Sequence, residues 1–126
     1  MKIIIAVLML IFLLYGCGWY QANDEVRNFI PGIYIRFSQH EFGTENDTLV
    51  ISIQNKSAGE YRIVRIWKYE RLLDGEPMEP EYKRVTTSGI YNTTRKLLQE
   101  TETGDFFSFD VREKILFNGN TKYQKL

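Results

Sequence analysis

The feature that most constrains this chain's fold is an internal echo in its last third. Tyr91-Asn92-Thr93-Thr94-Arg95-Lys96-Leu97-Leu98 recurs 18 residues later as Phe109-Asp110-Val111-Arg112-Glu113-Lys114-Ile115-Leu116. In each copy an aromatic ends an extended run, and an Asn or Asp opens a turn through a side-chain bond to its own backbone. A Lys then leads into the apolar pair that starts the next run. Two successive copies of one hairpin connection require up-and-down neighbours. Thr101-Glu102-Thr103-Gly104 supplies the opposite turn between them, and Asn118-Gly119-Asn120, carrying the Asn-Gly hairpin signal, supplies the last before a strand over 121–126.

Upstream the same two-residue period holds from Pro31-Gly32 onward. Ile33, Ile35 and Phe37 alternate with Tyr34, Arg36 and Ser38, which predicts a strand with the first set buried. A polar connection over 39–47 follows, then Leu49, Ile51 and Ile53 in alternation, then the turn residues Asn55-Lys56-Ser57-Ala58-Gly59. Glu60 to Leu73 is dense in Tyr, Ile, Val and Trp and reads as a long strand. Asp74-Gly75 and the stretch Glu76-Pro77-Met78-Glu79-Pro80-Glu81 form the loop after it, since neither proline suits a central strand. A strand over 82–91 returns beside it. The count is about eight short antiparallel strands with no convincing helix, an all-β up-and-down meander. Closing it into a small barrel protects both edges; a β-sandwich is the alternative. About one hundred residues spread over eight strands predict a filled interior built from Ile35, Ile51, Ile63 and Phe107.

The N-terminus has a different chemistry. Lys2 precedes twelve uninterrupted apolar residues, Ile3 to Leu14, a run of signal-peptide length and too short to span a bilayer. Leu14-Tyr15-Gly16-Cys17 then resembles a bacterial lipobox, with cleavage between Gly16 and Cys17 and acylation of the Cys17 thiol. Tyr15 is bulkier than the residue usual at its place in that motif. Cys17 is the only cysteine, and acylation removes the free thiol that an exported chain with one Cys would otherwise carry. The predicted organisation is a signal peptide over 1–16, a lipidated tether over 17–28, and one β-domain over 29–126. Several acyl chains on Cys17 hold such a domain stably on its membrane. Trp19 and Tyr20 suit either the membrane interface or a cap on the domain.

Sixteen basic residues balance sixteen acidic ones, so nothing suggests a nucleic-acid surface. His40 is the only histidine, which excludes a His-rich metal site and leaves no spare imidazole for a nucleophile triad. Glu76, Glu79 and Glu81 lack calcium-loop spacing, and no Gly-rich phosphate loop occurs. The reading is therefore non-catalytic, with no metal and no cofactor. One cluster invites a ligand: Arg65 shares a strand face with Tyr61, Trp67 and Tyr69. Turned inward, a guanidinium among rings is a seat for an anion or a flat ligand; turned outward, Arg65 is a surface residue whose stem covers apolar area. Asp47-Thr48-Leu49 resembles the short motif at which Bacteroidetes O-glycosylate exported proteins, at Thr48, at what reads as a loop-to-strand junction.

Three blocks carry a wider resemblance: Phe29-Ile30-Pro31-Gly32-Ile33-Tyr34, Asp47-Thr48-Leu49-Val50-Ile51, and the ending from Ser108-Phe109-Asp110 through Tyr123-Gln124-Lys125-Leu126. Together they resemble a group of small Bacteroidetes outer-membrane lipoproteins, many encoded on conjugative elements. The resemblance implies a lipocalin-like β-meander anchored through Cys17 and transfers no catalytic residue. Two functions fit: an envelope module that binds a protein partner, such as an accessory of a conjugative apparatus, or a carrier of a small apolar or anionic ligand. The first predicts a filled interior and the second a cavity of roughly 300 Å³ or more; the short strands favour the first.

Overall fold

The computed structural model describes residues 24–126. The predicted lipobox with Gly16 and Cys17, the rings of Trp19 and Tyr20, and the predicted tether up to residue 23 lie outside the described residues. A short helix, α1 (Glu25–Phe29), leads into nine strands: β1 (Gly32–His40), β2 (Gly43–Asn55), β3 (Glu60–Leu73), β4 (Glu76–Pro77), β5 (Glu81–Asn92), β6 (Leu97–Glu100), β7 (Phe106–Asp110), β8 (Ile115–Asn118) and β9 (Thr121–Lys125). The sheet runs β2-β1-β9-β8-β7-β6-β5-β3, every pair antiparallel, and a β2–β3 ladder closes it. The result is a closed eight-stranded barrel, with β4 as an extra two-residue strand folded back on the end of β3. Closure gives the strand edges partners, as the meander reading required.

The echo forms two matching turns. Asn92 Oδ1 accepts bonds from the Thr94 and Arg95 amides between β5 and β6, and Asp110 Oδ1 accepts one from the Glu113 amide between β7 and β8. Lys96 and Lys114 end these turns with φ of 54° and 57°, left-handed backbone that a non-glycine residue seldom adopts. The repeated lysine thus marks the position where each turn reverses, a role hidden in the sequence.

Three sequence expectations are corrected. First, residues 39–47 are not a connection: β1 and β2 form one continuous hairpin that turns at Glu41-Phe42, with His40 paired to Gly43. The polar residues 44–47 sit in a ladder because β3 pairs them on their other side. Gly43 is required there, since a Cβ at its position would lie 2.2 Å from the Glu70 carbonyl oxygen. Second, β1 buries the opposite face from the one predicted. Tyr34 is fully buried, whereas Ile33, Ile35 and Phe37 point outward, Phe37 with 62% of its surface exposed. Tyr34 prevails because its hydroxyl donates to the carbonyls of Ile30 (2.8 Å) and Phe29 (3.0 Å), which an isoleucine cannot do. Ile35 therefore leaves the predicted core, while Ile51, Ile63 and Phe107 are in it.

Third, residues 24–28 belong to the folded domain and not to a tether. Asp24 caps α1 by accepting from the Arg27 amide at 3.1 Å, and its carboxylate also accepts from the Tyr91 hydroxyl at 2.9 Å. Val26 and Phe29 pack on the core, and Ile30, just after the helix, is fully buried. Lys125 holds the helix end by donating to the Phe29 carbonyl, with its ammonium 4.1 Å from the centre of the Phe29 ring. The helix plugs one end of the barrel over Tyr34, Tyr61, Tyr91 and Phe109, above a layer of Ile51, Ile63, Leu98 and Leu116.

Candidate functional site

The other end of the barrel is open and asymmetric. β1, β2, β3 and β5 are 9 to 14 residues long, whereas β6 to β9 have only 4 or 5. The long strands therefore stand above the short ones as a wall on one side. Where the strands are all present but the plug is not, the interior holds a cavity of about 360 Å³. Leu49, Ile63, Val85 and Phe107 give it an apolar floor; Arg65, Trp67, Thr87 and Tyr123 stand on its walls; Lys83, Glu100, Thr103, Asp105 and Asn118 form the rim.

Period-2 geometry explains why these residues meet. Leu49, Arg65 and Val85 lie side by side across β2, β3 and β5, and Asp47, Trp67 and Lys83 form the next rung toward the mouth. Asp47 is buried, only 2% exposed, and both of its carboxylate oxygens accept hydrogen bonds. It accepts from Arg65 Nε at 3.1 and 3.2 Å, from Arg65 Nη2 at 2.6 Å, and from the Tyr123 hydroxyl at 2.8 Å. Arg65 is the exposed partner of this pair, its side chain 51% accessible. Hydrogen bonding to Asp47 pushes the Arg65 pKa up against the opposing effect of desolvation. Burial, with the bond to Asp47 adding to it, pushes the Tyr123 hydroxyl up to about 12.

Above the cavity the inner wall carries an aromatic stack. The Trp67 and Tyr69 rings are parallel to within 4° at 5.5 Å between centres, and His40 stacks on Tyr69 at 6.1 Å. The Arg71 guanidinium lies 5.8 Å from the Tyr69 ring. Trp67 lines the cavity and Tyr69 does not, so the indole stands between the stack and the cavity and is held in place from behind.

Arg65 and the three residues that the sequence groups with it do share the inward face, but they serve different ends of the barrel. Arg65 and Trp67 line the cavity. Tyr61 is buried beneath α1, its hydroxyl 3.5 Å from the Arg27 carbonyl, and Tyr69 belongs to the stack above. Asp47 and Tyr123 were missed as site residues. A signal for Asp47 was present, since it has the parity of Leu49 and Ile51 and so had to point inward. Tyr123 carried none, because its partner lies 76 residues away. Thr48 is half-buried at mid-strand, paired with Ile35 and Ile66, and not at the loop junction expected of a modification site.

The chain matches no family model, no curated protein and no solved structure. What the site can do is therefore read from its chemistry. The cavity combines an apolar floor, an indole face and a guanidinium whose charge is met by a buried carboxylate. The lining contains neither His nor Cys.

Proposed function

We propose that this protein is a lipid-anchored, non-catalytic envelope protein that holds a small ligand in the open end of its barrel. The observation that carries the reading is the cavity of about 360 Å³, which lies in the range of small-molecule sites, in an interior that the short strands led us to expect filled. The floor suits an apolar ring or short chain, and the indole and guanidinium suit its polar end. The anchor in this reading is Cys17, acylated after cleavage at Gly16, and the location is the outer membrane of a bacterium of the Bacteroidetes type. The test is mass spectrometry of protein purified from its own membranes. A small molecule released on denaturation, and lost when Val85→Trp fills the cavity, supports the carrier; protein that is ligand-free in both forms sinks it. Loss of membrane association in Cys17→Ala checks the anchor.

A second reading, a docking module for another envelope protein such as a component of a conjugative apparatus, draws support from one observation. Ile33, Ile35 and Phe37 form an apolar row on the outside of β1. Recovery of one protein partner from membranes, lost with Ile35→Asp, would move the preference to it.

A further inference from the structure

The cavity reading leaves open what kind of polar group its ligand carries, and resting on that reading, we infer that Asp47 sets the answer: the site takes an uncharged ring compound with an oxygen acceptor and turns away the corresponding anion. Arginine in a pocket ordinarily signals a carboxylate or phosphate. Here that charge is already answered. Asp47 takes Nε and Nη2 in a two-pronged pair, and Tyr123 donates to the same carboxylate from β9. The pair is neutral as a unit and buried on its acidic side, so no ligand reaches Asp47 itself. Nη1 has no acceptor among the described residues, and its two N–H groups remain as donors on a side chain that lines the cavity. Donors without net charge favour a carbonyl, ether or hydroxyl oxygen. An incoming anion would gain the same hydrogen bonds but meet the field of Asp47 directly behind them.

The rim acts in the same direction. Lys83 is its one base, against the carboxylates of Glu100 and Asp105, and neither of these is ion-paired among the described residues. Trp67, braced by Tyr69, offers the flat surface beside the donors. A ring fits against the indole, its oxygen on Arg65, and its apolar body over Leu49, Ile63 and Phe107.

Two probes of one shape test this: naphthalene-2-carboxamide and naphthalene-2-carboxylate, titrated at neutral pH into the full chain carrying Trp19→Phe, with quenching of Trp67 as the signal. The carboxamide should bind at least about tenfold tighter than the carboxylate, and Asp47→Asn should strengthen carboxylate binding by about tenfold while moving the carboxamide by less than about threefold. The double variant Asp47→Asn, Arg65→Gln, which removes both charges together, should show no such gain. Equal or tighter binding of the carboxylate by the unaltered site overturns the inference, and this comparison stands even if the single variant fails to fold. A ratio unmoved by Asp47→Asn in a folded protein overturns it too. If both probes bind but in the wrong order, this inference falls and the cavity reading stands. If neither quenches Trp67, the cavity reading itself falls.

Discussion

The two ends of this barrel are built from the same strands and solve opposite problems. At the plugged end the inward positions are Tyr34, Tyr61, Tyr91 and Phe109, and α1 lies over them; the tyrosine hydroxyls all reach polar atoms of residues 24–30. At the open end the inward positions include Asp47, Arg65, Trp67, Lys83 and Tyr123, and no helix among the described residues lies over them. The difference is one of where the polar atoms go. Hydroxyls that bond a helix draw it down and exclude solvent, whereas an ion pair between neighbouring strands satisfies itself within the wall and leaves the interior free. Tyrosine appears in both settings: Tyr34 ties the plug down, and Tyr123, on the neighbouring strand β9, ties the wall together.

If this division is correct, truncating side chains at the two ends should have unequal effects on stability. Leu116→Ala, in the fully buried layer beneath the plug, should cost about 2–5 kcal/mol, while Val85→Ala, which lines the cavity and is 38% exposed, should cost less than about 1 kcal/mol. Chemical denaturation of the two variants checks this, and equal losses would show that the open end is as tightly packed as the closed one.

A smaller effect probes the plug alone. Asp24→Ala removes the cap on α1 and the acceptor of the Tyr91 hydroxyl, and should destabilise by about 1–2 kcal/mol. Amide exchange should then speed up in α1 and at the start of β1 but not around Arg65. Uniform acceleration throughout the barrel would mean that the two ends are not separable.

The smallest effect concerns pH. Burial and the bond to Asp47 push the Tyr123 hydroxyl up to about 12, and burial also raises the hydroxyls of Tyr34, Tyr61 and Tyr91. A phenol raised in the folded state contributes stability that is complete below its unfolded value of about 10 and is lost as pH climbs through the folded value. Stability should therefore fall above about pH 10. In Tyr123→Phe the fall between about pH 10 and 12 should be shallower, because one of the groups resisting deprotonation is gone. Denaturant midpoints over an alkaline series measure the slope, and an unchanged slope would show that burial and the bond to Asp47 do not raise the Tyr123 hydroxyl in the folded protein.

The sequence by itself determined the class of fold. Most strand positions, the meander order and both Asx turns of the echo follow from local chemistry: period-2 alternation, side chains that bond their own backbone, and Asn-Gly at the last reversal. Local signals stop where the competing arrangements differ only in distant partners. The buried face of β1 was ambiguous because apolar or aromatic groups lie on both of its sides, and the contact that chose Tyr34 over Ile35 is a bond to the end of a helix that forms only when docked. A five-residue helix has too few internal bonds to hold itself, so no helical period announced α1. The site shows the same limit more sharply. Arg65 and Trp67 were visible as strand neighbours, but whether the guanidinium is free or neutralised depends on Asp47 and Tyr123, which closure of the barrel brings together from strands far apart in the chain. Alternation along a strand specifies which residues face inward; only the closed barrel decides what they meet there, because cross-barrel contacts depend on register and strand length around the whole circuit.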